Sequence, residues 1–85
     1  MSKYIGNLEE LIKDSPDKMF MIKIIINLSD RSIEEVKVQL EKNGFNIIDI
    51  FEKRDPIIIT VDGTGRLIDS LAENDMVIKI GLLEL

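Results

Sequence analysis

The sequence predicts an α+β domain, with four strands in one antiparallel sheet and two crossover helices packed on one side of it. Two segments carry this prediction. Met19–Leu28, MFMIKIIINL, contains a single charge and is rich in β-branched residues, as is typical of a buried strand. Ile57–Val61, IIITV, is likewise apolar on both faces. A strand that is apolar on both faces belongs in the middle of a sheet, with one face against helices and the other only partly exposed to water.

The N-terminal segment Ser2–Asp14 has apolar residues at helical spacing and predicts a short amphipathic helix. Ser15-Pro16-Asp17 ends this helix, because the residue before a proline avoids helical backbone angles. Residues 1–18 are therefore assigned to a helix and linker, and residues 19–85 to the sheet domain. A helix this short is not stable alone, so we expect its apolar stripe to dock on the rest of the chain.

The segment after the first strand predicts a second helix and a second strand. Ser32 and Glu35 fit the pattern of a capping box at the helix start, and Asn43-Gly44 fits a helix end. Phe45–Lys53 predicts the second strand. Its apolar residues fall into two groups, Phe45, Ile47 and Phe51 on one side and Ile48 and Ile50 on the other. This pattern indicates a β-bulge or a register change near Ile47-Ile48.

The remaining elements complete a regular order of strands and helices. They are a hairpin at Arg54-Asp55-Pro56, the strand Ile57–Val61, a turn at Asp62-Gly63-Thr64-Gly65, a helix at Arg66–Glu73, and a last strand at Met76–Ile80 that either continues through Gly81–Leu85 or ends in a tail. The order strand, helix, strand, strand, helix, strand with right-handed crossovers predicts a ferredoxin-like βαββαβ sandwich. The predicted strand order is 4-1-3-2.

Composition narrows the classes of function. The chain has 85 residues and a net charge of −5, with no cysteine and no histidine. Disulfides, zinc–thiolate sites and the usual general base are therefore excluded, and we expect a non-enzymatic protein. The acidic balance disfavours nucleic-acid binding. No apolar run is long enough to span a membrane, and the N-terminus does not have the pattern of a signal peptide, so we expect a cytoplasmic protein.

Two sequence features offer weak candidate sites. Asp62–Arg66 places glycines before a helix, as in anion-binding loops, but a tight turn with Thr64 as helix cap explains it better because phosphate-loop spacing is absent. The carboxylates of the N-terminal segment, Glu9, Glu10, Asp14 and Asp17, have no calcium-loop spacing and are expected to be solvated. We therefore predict no catalytic residue, no metal and no cofactor.

The face of the sheet opposite the helices is the candidate functional surface. It is expected to combine apolar residues with polar ones; the apolar set is Met21, Ile25, Ile58, Val77 and Leu83, and the polar set is Lys23, Asn27, Thr60 and Lys79. An apolar patch of this kind usually marks a contact surface. Three alternatives remain for what buries this patch: the N-terminal helix folded across it, a second copy of the chain, or a different protein.

The segments IIINLSDRSIEEVKVQLEKNGFNIID and PIIITVDGTGRLIDSLAENDMVIKI resemble the propeptide and inhibitor family of subtilisin-like serine proteases. The resemblance covers about 60 of the residues and lies mostly at the level of fold. Asp55-Pro56-Ile57 departs from the small, Gly- or Phe-containing start of the third strand that is usual in that family, and the N-terminal helix is extra.

The resemblance implies an inhibitor or folding chaperone of a serine protease. Its docking face would be Met21, Ile25, Ile58 and Val77. Leu82 and Leu85 would enter the apolar specificity pockets of the protease, with Leu83 and Glu84 between them. Alternatively, Leu82, Leu83 and Leu85 extend the last strand into the core. The competing class is a small ligand-sensing or oligomerisation domain of the ACT type, although the turn Leu28–Arg31 lacks the glycine that such domains carry there.

Overall fold

The computed structural model describes residues 3–28, 31–53 and 56–83. The elements are α1 (Leu8–Asp14), β1 (Met19–Ile26), α2 (Ile33–Lys42), β2 (Asn46–Phe51), β3 (Ile57–Thr64), α3 (Gly65–Ala72) and β4 (Val77–Leu82). The predicted hairpin residues Arg54 and Asp55 lie outside the described residues. From β1 onward the order of elements is the predicted one, so the ferredoxin-like α+β fold is confirmed.

The four strands form one sheet in the order β2-β3-β1-β4. Each neighbouring pair is antiparallel. The order is the predicted 4-1-3-2 read from the other edge, and it places the two most apolar strands, β1 and β3, at the centre. Their pairing joins Ile24 to Ile59 and Ile22 to Val61, so β-branched side chains lie side by side on one face.

The core lies between the sheet and the helices. Along β1 the even positions from Phe20 to Ile26 are buried and the odd positions are partly or fully exposed. Val36 and Leu40 of α2 and Ile68 and Leu71 of α3 belong to the same buried cluster, so α2 and α3 cover the same face. Burying a side chain of this size contributes about 1.5–3 kcal/mol, which makes this cluster the main source of stability.

The N-terminal segment differs from the predicted single helix. Residues 3–5 run parallel to β4: the Ile80 N–H donates to the Lys3 carbonyl at 2.9 Å, and the Ile5 N–H donates to the Ile80 carbonyl at 2.8 Å. Gly6 then has a φ of 65°, which favours glycine, and α1 begins only at Leu8. Gly6 therefore separates an extended segment from a helix where a continuous helix was predicted.

β3 is longer than predicted because Asp62, Gly63 and Thr64 pair with β1. Their partners are Met21, Phe20 and Met19. The predicted turn at these positions is therefore wrong. The predicted Thr64 cap is confirmed, since its hydroxyl accepts a hydrogen bond from the Leu67 N–H at 3.4 Å.

The ends of α2 follow the sequence signals. The Ser32 hydroxyl accepts from the Glu35 N–H at 3.2 Å, which satisfies one free amide of the first turn. At the other end Gly44 has a φ of 104°, the left-handed backbone that glycine tolerates best. The predicted bulge in β2 is also present, since the pairing with β3 shifts register between Ile47 and Asp49.

Candidate functional site

The face of the sheet opposite the helices, called the open face below, is crossed by one apolar row. Phe51 on β2 pairs with Ile58 on β3, and Ile58 pairs with Ile25 on β1. Paired residues project to the same side of a sheet, so these three side chains form a continuous row. Phe51 is 44% exposed, while Ile58 and Ile25 are partly buried.

A polar row lies beside the apolar row. Asp49 pairs with Thr60, and Thr60 pairs with Lys23. Asp49 and Lys23 are exposed, and they are separated by one intervening strand, a distance of about 9–10 Å between their backbones. Among the salt bridges of the described residues, none involves Lys23 or Asp49. The Asp49 carboxylate accepts a hydrogen bond from the Ile50 N–H at 2.9 Å.

The charges of the open face are divided between its two halves. Lys23 on β1 and Lys79 on β4 lie in one half, where Lys79 pairs with Ile25. Asp49 on β2 and Asp62 on β3 lie in the other half, where Asp62 pairs with Met21 across the centre. The positive half and the negative half therefore meet at the centre of the sheet.

The N-terminal helix does not cover the open face. Leu8 and Ile12 of α1 are buried in the cluster between sheet and helices, and α1 packs against α3. A Cβ atom at Gly65 would lie 3.0 Å from Ile12 Cγ2, which shows how closely the two helices approach. The possibility that this helix folds across the open face is thereby overturned, because its apolar stripe is already buried on the other side.

The N-terminal segment touches the open face at the corner formed by β4. A Cβ atom at Gly81 would meet Ile5 Cδ1 at 3.2 Å, and Gly81 pairs with Lys23 on the open face. Ile5 therefore lies over the β4 edge. The apolar row on β1, β3 and β2 lies away from this corner.

The structure brings three of the predicted docking residues together and separates a fourth. Met21, Ile25 and Ile58 lie on the open face. Val77 does not: it is only 2% exposed, and it pairs with Ile26 on the helix-facing side. The register shift between Ile25 and Ile26 reverses the side on which β4 presents its first residues, so the predicted place of Val77 on the open face is wrong.

The C-terminal residues continue β4 as far as they are described. Leu82 pairs with Ile22 and is 42% exposed at the sheet edge. The Leu83 N–H donates to the Met21 carbonyl at 2.9 Å, which ties the chain to β1 up to this residue. The strand therefore extends to Leu82, and the hydrogen bond of Leu83 continues the pairing by one residue, but Leu82 is too exposed to belong to the core. Glu84 and Leu85 lie outside the described residues.

Sequence reasoning missed Phe51, Asp49 and Asp62 on the open face. Asp62 is assigned to a turn by the sequence, whereas it pairs with Met21 in the sheet. Phe51 was grouped with Phe45 and Ile47, but Ile47 pairs with Val61 on the helix-facing side while Phe51 pairs with Ile58. The bulge adds one residue between them and so moves Phe51 to the opposite face. Asp49 was missed for the same reason. The available signal was the predicted bulge itself, whose consequence is that every residue after it changes side.

The start of α3 is occupied by the chain itself. The Gly65 N–H donates to the Lys18 carbonyl at 3.1 Å, and the Arg66 N–H donates to the Pro16 carbonyl at 3.0 Å. Arg66 Nε lies 2.7 Å from Asp17 Oδ1, and this guanidinium lowers the pKa of the Asp17 carboxyl by hydrogen bonding and by charge. Because these donors already have partners, the Asp62–Arg66 segment does not form an anion-binding loop.

The described residues contain no group of three or more potential metal-ligating side chains. Two concavities lie between α2 and α3, with volumes of about 30 Å³ and about 190 Å³. Both are smaller than the ~300–1,000 Å³ of typical ligand pockets. A third, about 530 Å³, is a shallow depression along α2, lined mainly by charged side chains.

Comparisons with known proteins give no match, whether against protein-family models, curated proteins or solved structures. In the described part of the chain no helix has the length and apolarity needed to cross a membrane. The open face therefore stands as the candidate site on its own geometry and charge.

Proposed function

We propose that this chain is a non-enzymatic protein-interaction module that binds its partner through the open face of its sheet. The observation that carries the proposal is the apolar row Phe51, Ile58 and Ile25, which lies across the face that α1, α2 and α3 leave uncovered. A sheet face that meets only water is usually polar. An apolar row flanked by charged residues is typical of a surface that is buried in a complex.

The chemistry of the chain supports binding over catalysis. It contains neither histidine nor cysteine, the residues that most often supply a general base or a nucleophile. A strongly raised pKa belongs to Tyr4, which lies beside Asp69 at the edge of α3. The hydrogen bond between Tyr4 and Asp69 joins the N-terminal segment to α3, so the raised pKa is explained by a structural contact.

A subtilisin-like serine protease is the partner class that the sequence resemblance indicates. In this version of the proposal Met21, Ile25 and Ile58 dock on the protease. Leu83, the last residue that the structure describes, donates its N–H to the Met21 carbonyl on β1. The resemblance implies that the C-terminal residues enter the substrate groove of the protease, and an extended apolar segment can bind in a groove of this kind. Val77 has no part in this version, because it is buried.

The test is inhibition of a panel of subtilisin-like proteases. We expect the wild-type chain to slow peptide hydrolysis, Ile25→Asp to abolish this effect, and deletion of residues 84–85 to weaken it. Val38→Asp is the matched control, because Val38 is an exposed apolar residue on α2, 63% exposed. A panel on which the wild-type chain slows no protease excludes this partner class.

The alternative class is a ligand-sensing or oligomerisation domain of the ACT type. Its ligand-sensing part gains no support from the crevice of about 30 Å³ between α2 and α3, which has room for about one water molecule. Its oligomerisation part is favoured by a specific observation, the division of charge across the open face. A cytoplasmic location is also part of the proposal: the chain has no cysteine, whereas small secreted domains usually depend on disulfides.

A further inference from the structure

We infer that the open face binds the open face of a second copy of this chain, forming a two-fold dimer whose axis runs parallel to the strands. This inference rests on the proposed function, since it takes the open face to be the docking surface. It adds the identity of a partner and the orientation in which that partner binds.

Charge complementarity is the first observation that favours a second copy as the partner. Lys23 and Lys79 lie on β1 and β4, whereas Asp49 and Asp62 lie on β2 and β3. A face with one positive half and one negative half is complementary to itself when the halves are exchanged. The net charge of −5 makes unspecific contact between copies unfavourable, so the attraction has to come from this local arrangement.

The division of charge selects one of two orientations. A two-fold axis lying in the interface at right angles to the strands would keep each strand over its own copy and bring the positive half over the positive half. An axis parallel to the strands, midway between β1 and β3, exchanges the halves instead. Lys23 then lies over Thr60 of the second copy, which is flanked by the carboxylates of Asp49 and Asp62 of that copy. Two such contacts form, one on each side of the axis.

The same axis also matches the two central residues of the apolar rows. Ile25 of one copy meets Ile58 of the other, because these residues are paired across the centre of the sheet. Stacked sheets lie about 10 Å apart with their strands within about 30° of parallel, a separation that branched apolar side chains fill from both sides. Ile25 and Ile58 thus lie at the centre of the interface, as apolar residues do in known interfaces. Phe51 on the edge strand instead meets Lys79 of the second copy, because Lys79 pairs with Ile25.

The area of the open face limits the affinity that we expect for the dimer. Four strands and six residues along each give an area of about 19 Å by about 20 Å, or roughly 400 Å² per copy. A standard stable interface buries ~800 Å² per partner. We therefore expect a weak dimer that forms only at high protein concentration.

Analytical ultracentrifugation of the full chain from micromolar to millimolar concentration measures this equilibrium. We expect Lys23→Glu and Asp49→Lys each to weaken dimerisation at least about tenfold, because each places like charges opposite one another twice. Lys42→Glu and Glu41→Lys, on exposed positions of α2, are the matched controls and should leave the equilibrium unchanged. Circular dichroism confirms that each variant is folded.

The decisive sample is an equimolar mixture of the Lys23→Glu and Asp49→Lys proteins. In the proposed heterodimer, the glutamate introduced at position 23 of one protein faces the lysine introduced at position 49 of the other. On the opposite side of the axis the original Lys23 faces the original Asp49, so both contacts are attractive again. We expect the mixture to dimerise about as strongly as the wild type, while neither variant does so alone. A partner bound at any other surface would not give this rescue.

Three results would overturn the inference: a wild-type chain that stays monomeric at millimolar concentration, a dimer that the two substitutions leave unchanged, or a mixture that stays monomeric. The protease assay separates this failure from failure of the proposed function. If the chain is monomeric and Ile25→Asp still abolishes protease inhibition, the open face is a docking surface for another protein. If neither self-association nor inhibition depends on Ile25, both proposals fail.

Discussion

The ring of Phe45 lies against the backbone of Gly63, so closely that a Cβ atom at Gly63 would be 2.4 Å from Phe45 Cε1. Both residues are buried. Gly63 is in β3 opposite Phe20, and its missing side chain makes the space that the ring fills. This contact fixes the residue before β2 against the end of β3.

Gly63→Ala is therefore expected to lower the free energy of unfolding by about 1–3 kcal/mol, since a methyl group there overpacks the core. Urea denaturation followed by circular dichroism measures the change. In a Phe45→Leu background the same substitution should cost at least ~1 kcal/mol less, because the smaller side chain leaves room. Equal costs in the two backgrounds would show that the ring is not what opposes the methyl group.

The salt bridge between Asp17 and Arg66 leads to a prediction for the titration of the Asp17 carboxyl. Arg66 lowers the pKa of Asp17, so the folded pKa lies below the unfolded one. The stability contributed by the pair is present above the ordinary aspartate pKa of about 3.9 and is lost as the pH falls through the folded value. Arg66→Gln should raise the Asp17 midpoint toward the ordinary value, as measured by NMR titration of the carboxyl carbon. Lys42→Gln is the control and should leave that midpoint unchanged.

Tyr4 is the only tyrosine of the chain, so ultraviolet absorbance reports its ionisation alone. Burial, together with the hydrogen bond to Asp69 and the charge of that carboxylate, raises the pKa of Tyr4. The resulting stability is complete below the unfolded pKa of about 10 and is lost as the pH rises above it. In Asp69→Asn the Tyr4 pKa should fall but stay above its ordinary value, because burial remains. An unchanged titration would contradict the role given to Asp69.

Ile12 packs the N-terminal helix α1 against the core. It is 1% exposed and lies against α3 at Gly65. Ile12→Ala is expected to lower the free energy of unfolding by about 2–4 kcal/mol through the cavity it leaves. Lys13→Ala, at the next and exposed position, should change it by less than about 0.5 kcal/mol. Similar small effects of both substitutions would mean that α1 does not belong to the cooperative core.

Deletion of residues 1–18 follows the same reasoning. It removes Leu8 and Ile12 from the core and takes away the Pro16 and Lys18 carbonyls that accept from the first amides of α3. We expect the shortened chain to lose cooperative thermal unfolding. If it instead unfolds at the temperature of the full chain, the N-terminal segment is dispensable for the fold.

Local patterns were sufficient for most of the fold. The alternation in Met19–Ile26, the cap at Ser32 and the glycine at Gly44 each depend on a few neighbouring residues. The strand order followed from the apolarity of β1 and β3 together with the handedness of crossovers. These features do not need knowledge of what lies across the sheet.

The residues of the open face were predicted less completely, because β-bulges decide which side chains lie on that face. One bulge in β2 turns Phe51 and Asp49 toward the open face, and the register shift beside Ile26 turns Val77 away from it. A one-residue shift moves every later side chain to the opposite face. Sequence alone indicated the first bulge without its consequence and gave no sign of the second.

The sequence by itself determined the sandwich, its two central strands and the limits that composition sets on chemistry, because these follow from local periodicity and from which residue types are present. Only the tertiary structure decided that α1 packs beside α3, that residues 3–5 border β4, and that lysines and aspartates occupy opposite halves of the open face. These relationships join residues far apart in the chain, and their outcome depends on register and packing, which no local pattern contains.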